Sequence, residues 1–370
     1  MNITWNGDQF YGVRSHANIN RGLVTALTEL GHKIKVTNIL DTNLFKSNNK
    51  AHAVIKDSEN EKFNSDFNIF KFPAIKVMTS AKFNCILHSD GSYTSTVTNN
   101  NRIKSCPSTH LWLPTPDCAN EVNKYTPIPT IGLGVDSGID PTMFNPGIEP
   151  FDFDILKSTF KFFIACDGGN STAGRPHGGF RGSDIAIEAF IDEFSNKDDV
   201  CLIVKVAHNY KIIDDFIVSS VLKKPNVPKI IKDYGNNQQG VMAAKLKSAD
   251  CMLSPIRDCR WEACILEALA CGTPTIATNC GGPRLYGKYG VYFIDYKITD
   301  ADLHISRGDI AVGKEYWTEP SVDGFRKKMR EVYNNRKAAE EFGMKGSVYV
   351  TENWKWIDIA QRIIDFFNKN

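Results

Sequence analysis

The sequence predicts an α/β protein made of two doubly wound parallel sheets, and three observations carry that prediction. Strand, polar-glycine loop, helix, glycine and strand follow one another between Met1 and Leu40, which is a βαβ unit. A second series of short strands alternating with helices begins at Phe160. Between them runs TPIPTIGLGVDSGIDPTMFNPGIEP, residues 126–150, whose proline and glycine content is that of a connector. A chain of 370 residues is too long for one ordinary core and suits two domains, with a cleft expected between them.

The elements follow in order. Met1 to Thr4 is the first strand, and NGDQFYGVR is the loop after it. Ser15 to Leu30 has helical periodicity, with Ile19, Leu23, Ala26, Leu27 and Leu30 on one face. Gly31 ends that helix, and Lys33 to Leu40 is the next strand. Asn84 to His88 and Thr109 to Leu113 are shorter strand candidates. After the connector come strands at Phe160–Cys166, Val200–Val206, Lys229–Lys232 and Cys251–Ser254. Helices are expected at Asp184–Phe194 and Gln238–Ser248. The tail from Trp354 to Asn370 is amphipathic, with Trp356, Ile359, Ile363, Ile364, Phe366 and Phe367 giving a broad apolar face that must dock on something.

Composition narrows the function. Hydrophobic residues make up 42% and charged residues 23%, as in an ordinary soluble protein. A net charge of +2 lacks the basic excess of a nucleic-acid binder. No apolar stretch is long enough for a bilayer, and MNITWNGDQF has no signal-peptide pattern. The 10 cysteines include no C-x-x-C pair, which argues against zinc and for a reducing, cytoplasmic setting.

The most informative stretch is EACILEALACGTPTIATNCGGP, from Glu262 to Pro283. Ala263 to Ala270 is apolar nearly all round and reads as a buried helix. Gly272 and Pro274 end it, and Thr275 to Thr278 is a strand of a parallel sheet. Glu267 lies inside that helix, where a carboxylate is costly unless it is hydrogen-bonded. It either caps or pairs internally, or it faces a cleft and receives ligand hydroxyls.

Taken in order, these segments resemble the GT-B glycosyltransferases of the retaining, GT4-like type (glycosyl transferases group 1). TIGLGVDSGIDPTMFNPG is similar to that family's interdomain segment, and FRGSDIAIEAF to its lysine-glycine loop and following helix, with Arg181 in place of the lysine. LEALACGTPTIATNCGGP resembles its donor-site helix and strand, while YWTEPSVDGFRKKMREVY and NWKWIDIAQRIIDFF resemble its C-terminal helices. The resemblance implies an N-terminal acceptor domain over residues 1–145 plus the helix 354–370, which crosses back to it. It implies a donor domain over residues 146–353, and a nucleotide diphosphate sugar, UDP- or GDP-linked, as donor. It implies no cofactor and no metal.

Site residues follow from the same resemblance. Arg181 and Arg175, in the glycine-rich AGRPHGGFRG, supply fixed positive charge to a leaving diphosphate, which the forked guanidinium suits. Glu267 matches the second acid of the family's E-x7-E motif, which accepts hydrogen bonds from ribose. In register the first acid falls on Cys259, and Asp258 or Glu262, after Trp261, is its substitute. The amides of Ala263 and Cys264 open the helix toward sugar or phosphate. Gly12 allows close backbone approach, although Tyr11 holds the place of a second family glycine. His88, with Asp90 placed to orient it, matches a histidine on the acceptor side. Base contacts are expected from backbone around Lys232, Tyr234 and Gly235. Asp152-Phe153-Asp154 is a D-x-D, but it stands just after the connector and reads as chance.

The resulting expectation is a retaining hexosyltransferase acting on a glycan, lipid-linked or small-molecule acceptor. The alternatives are a nucleotide-sugar epimerase of the same plan and a non-catalytic nucleotide-sugar-binding protein. A dehydrogenase is disfavoured, because no G-x-G-x-x-G follows the first strand. Base, sugar and acceptor stay open.

Overall fold

The computed structural model describes residues 1–7, 15–37, 50–59, 61–71, 83–87, 110–123, 129–166, 181–207, 210–235, 237–257, 261–300 and 316–370. Its contacts divide the chain into two units. The first comprises Met1–Ile139, Cys259–Trp261 and Asn353–Asn370, and the second Asp140–Asp258 and Glu262–Glu352.

In the first unit six strands form one sheet: β1 (Asn2–Asn6), β2 (Lys33–Thr37), β3 (Phe67–Lys71), β4 (Phe83–Leu87), β5 (His110–Leu113) and β6 (Thr130–Gly132). Their order is β2-β1-β3-β4-β5-β6, and every neighbouring pair is parallel. The βαβ unit read from the sequence is present, with its helix at Ser15–Glu29 and with Ile19, Leu23, Ala26 and Leu27 buried. Trp5 of β1 is buried and donates its indole N–H to Asn20 of that helix at 3.0 Å. β6 lies inside the segment read as connector. Three residues beside prolines carry no strand period, and an edge strand needs none. The helix Lys50–Glu59 and strand β3 are further elements that the sequence reading does not include.

The last helix, Trp356–Lys369, belongs to this first unit. Its Phe367 stacks on Phe67 of β3 with ring centres 3.7 Å apart, and Phe366 meets Trp112 of β5 edge-on at 5.3 Å. Trp354 precedes the helix instead of starting it, because its carbonyl accepts the Ile139 N–H at 2.8 Å. The helix then begins with the Lys355 N–H bonded to the Asp358 carboxylate at 2.8 Å. Gly22 admits the Trp356 ring so closely that a Cβ there would lie 2.4 Å from it.

The second unit holds β7 (Phe160–Cys166), β8 (Val200–Val206), β9 (Lys229–Tyr234), β10 (Cys251–Ser254), β11 (Thr275–Thr278) and β12 (Val291–Ile294). The order is β12-β11-β10-β7-β8-β9, again with every pair parallel. One face of this sheet packs Phe162, Leu202 and Val204 against the helices Ser183–Glu193 and Val322–Asn334. The helix Ala263–Ala270 ends as the sequence indicates. Gly272 adopts φ +82°, and the N–H groups of Gly272 and Thr273 close on Leu269 and Ala268 at 2.8 and 2.9 Å.

The chain also forms an antiparallel hairpin of β13 (Tyr296–Asp300) and β14 (Tyr316–Pro320). β14 occupies the first five residues of the stretch that resembles helices. The helix starts only after Ser321, whose hydroxyl accepts the Gly324 N–H at 3.0 Å. Among the described residues no helix is long and apolar enough to cross a membrane.

Candidate functional site

The strand order of the second unit locates the site. The chain starts at β7, moves outward through β8 and β9, then returns to β10 on the other side of β7. Open parallel sheets bind ligands beyond the carboxyl ends of strands where the order reverses, here at β7 and β10. The segment after β7 leads to Arg181, and the segment after β10 leads to Glu262.

These two side chains meet. Arg181 Nη1 donates to Glu262 Oε2 at 3.0 Å, with the Glu262 side chain almost wholly buried and that of Arg181 about one-third exposed. Glu262 caps the helix Ala263–Ala270 from a left-handed backbone at φ 52°, and its carbonyl accepts the Tyr286 hydroxyl at 2.8 Å. A non-glycine residue held in that region marks a constrained turn. Its side chain makes no capping bond, so it turns to Arg181 and leaves the helix N-terminus to other acceptors.

Glu267 lies one helical turn on. Burial pushes its carboxyl up to about 8, and the charge of Arg181 draws it back. No hydrogen bond to its carboxylate is formed among the described residues. Cys264, between the two acids, is pushed up to about 12 by burial and by Glu267, against the positive charges of Arg181 and Lys205. The amides of Ala263 and Cys264 stand at the first turn of this helix.

Arg181 is held in place from behind. The adjoining Gly182 has φ +61°, and a Cβ there would lie 1.9 Å from the Pro255 carbonyl oxygen. The fully buried Arg257 grips Asp184 through two bonds of 2.7 Å and Glu319 through bonds of 2.7 and 3.0 Å. This fork joins the start of helix Ser183–Glu193, the end of β10 and strand β14. It was not read from the sequence, where Pro-Ile-Arg-Asp looks like any polar loop.

The remaining sequence-derived residues divide. Lys232 and Tyr234, on β9, both bond Asp214, Lys232 at 2.8 Å. Burial raises the Asp214 carboxyl, and those two bonds more than offset it. Trp261 is buried within the first unit, where its indole N–H donates to the Ser137 carbonyl at 3.0 Å and its ring lies 5.4 Å from that of Trp354. Gly12, His88, Asp90, Arg175, Asp258 and Cys259 lie outside the described residues. Asp152 and Asp154 form an exposed turn closed by the Asp154 N–H on Asp152 at 2.8 Å. No group of three metal-ligating side chains occurs among the described residues.

Residues 178–301 match the model of the family described as glycosyl transferases group 1. No curated protein matches the chain in sequence. Solved structures match it over its whole length. Sucrose-phosphate synthase from Thermosynechococcus elongatus superposes with a TM-score of 0.64 at 10% identity, covering 100% of this chain and 98% of that one. Anabaena HepE, in complex with UDP and glucose, gives 0.62 at 10% identity with 100% of both chains covered. WaaG, a glycosyltransferase of lipopolysaccharide biosynthesis, gives 0.61 at 13% identity with 99% of both covered. The chain thus has the GT-B fold along its whole length, and residues 178–301 are similar in sequence to the glycosyl transferases group 1.

Proposed function

We propose that the protein transfers a hexosyl group from a nucleoside diphosphate sugar to an acceptor hydroxyl, with retention at the anomeric carbon. The observation that carries this reading is the meeting of Arg181 with the buried Glu262 at the N-terminus of Ala263–Ala270, one turn before Glu267. As the bond from the anomeric carbon to the phosphate oxygen breaks, negative charge grows on that oxygen. Arg181 and the amides of Ala263 and Cys264 stabilise it, and Glu267 receives the ribose hydroxyls. The acceptor oxygen bonds the same face of the sugar, and its proton passes to the departing phosphate. No protein nucleophile is needed. Arg175 adds a second cation, His88 borders the acceptor, and Asp258 is the other candidate for the first acid.

Side chains supply the positive charge, so the reaction runs without a divalent metal or a cofactor. HepE has been crystallised with UDP-glucose, which supports a UDP-linked donor here, with GDP as the alternative. The acceptor is a glycan, a lipid-linked sugar or a small molecule. Seven of the described cysteines are free thiols, which supports a reducing, cytoplasmic setting.

The test is a thermal-shift screen of UDP, GDP, ADP and dTDP with their sugars, since a ligand that binds only the native state raises the melting point. One nucleotide series should stabilise the protein, with or without EDTA, and its sugar should then be transferred with the anomeric configuration kept. Stabilisation by none of the four, or an inverted product, would overturn the reading.

A further inference from the structure

One cation near this site has no place in the reading above. Strand β8, VCLIVKV, is apolar but for Lys205. Leu202, Val204 and Val206 point into the core against helix Ser183–Glu193. Alternation therefore turns Lys205 to the opposite face, with Cys201 and Ile203. Only 7% of Lys205 is exposed. Its ammonium forms no hydrogen bond or ion pair among the described residues.

The obvious counter-charge is already taken. Asp233 is the register partner of Lys205 on β9. Its carboxylate, however, is bound at 2.6 Å by Lys245, itself buried, which also reaches Asn237 at 3.3 Å and lies over the Phe151 ring. Glu262 is likewise committed to Arg181. The cluster of Lys205, Lys245 and Asp233 therefore carries one uncompensated positive charge in a buried place. Burial holds the Lys205 ammonium below the ordinary lysine value, only partly offset by Cys264 and Asp233. An unpaired buried cation destabilises a fold and persists where function uses it.

Its position says what it meets. Lys205 is the penultimate residue of β8, at the carboxyl end of the sheet, next to the strand that leads to Arg181. Cys264, at the first turn of helix Ala263–Ala270, feels the charges of both Arg181 and Lys205. Two cations and one helix N-terminus thus serve one locality, which suits an anion of more than one phosphate.

We propose that Lys205 is a further donor-binding residue whose ammonium contacts the diphosphate of the nucleotide sugar. This rests on the glycosyltransferase reading above. The test is calorimetric binding of UDP, GDP, ADP and dTDP, each beside its monophosphate and nucleoside, to the full chain and to Lys205→Met and Lys205→Gln. Affinity for the preferred diphosphate should fall roughly ten- to a hundredfold in both variants, while affinity for the nucleoside changes little. The ligand-free Lys205→Met variant should melt no lower than the wild type, because a buried unpaired charge has been removed. Unchanged diphosphate affinity, or an equal loss for nucleoside and diphosphate, overturns the proposal. So does a lower melting point with affinity per folded molecule kept. Failure of the wild type to bind any of the four diphosphates would instead overturn the glycosyltransferase reading.

Discussion

Arg181 and Glu267 lie close to one helix N-terminus, and each makes a separate prediction. On the proposed function, Arg181→Ala removes the cation that stabilises the developing phosphate charge and should lower turnover by about two to three powers of ten. Unchanged rates of transfer and donor hydrolysis would show that Arg181 only binds Glu262. Glu267 has a folded value of about 8 against an ordinary 4.5. A carboxyl raised in the folded state favours folding below its unfolded value and loses that contribution as pH rises through the folded value. Glu267→Gln should therefore match the wild type in ligand-free stability near pH 4 and exceed it above pH 8. On the proposed function ribose hydroxyls bond more strongly to the ionised carboxylate, so wild-type nucleotide affinity should climb between pH 6 and 8 and release a proton. The Gln variant should bind about 1–3 kcal/mol more weakly at pH 8.5, with a flat profile. A pH-independent wild-type affinity, measured calorimetrically, would place Glu267 in the structure and not in recognition.

At the scale of elements, the site depends on how tightly two loops approach behind it. Gly182 occupies the left-handed region and touches the Pro255 carbonyl, so no larger residue fits without moving the segment that carries Arg181. Gly182→Ala should cost about 2–4 kcal/mol, the sum of left-handed strain and overpacking, and should impair turnover as well. Urea melts of the variant provide the measurement, and an unchanged midpoint would mean that the backbone yields. The Arg257 fork acts beside it, with Asp184 and Glu319 as its two anchors. Removing one anchor would leave the buried guanidinium with a single carboxylate and unsatisfied N–H groups, whereas replacing the whole trio with apolar residues need not destabilise the fold.

For the whole molecule, the first unit depends on the final helix. It buries Ile359, Ile363, Ile364, Phe366 and Phe367 in a sheet formed by residues far earlier in the chain. Each such side chain contributes about 1.5–3 kcal/mol. Their sum rivals the net stability of a domain. A chain ending before Trp354 should aggregate or lose activity although every residue of the proposed donor site is present. Size-exclusion chromatography with an activity assay decides it. A soluble, monomeric and fully active truncation would show that the helix is dispensable.

The sequence by itself determined the periodic elements and grouped the candidate site residues of one motif. Strands Phe160–Cys166, Val200–Val206, Cys251–Ser254 and Thr275–Thr278 and the helix Ala263–Ala270 lie where their residues predict. Each is a local pattern of apolar period, glycine and proline, so local physics suffices to read it. Glu267 and Arg181 stood out because each sits in a recognisable local context, and their roles stay as proposed. Only the tertiary structure decided which partners those residues take. Glu262 reaches Arg181 across 81 positions, and Arg257 reaches Asp184 across 73. The lone lysine in VCLIVKV was visible as an anomaly in an apolar strand, but its meaning was not. Its solitude depends on Lys245 having taken Asp233, and long-range charge pairing of that kind leaves no period in a sequence.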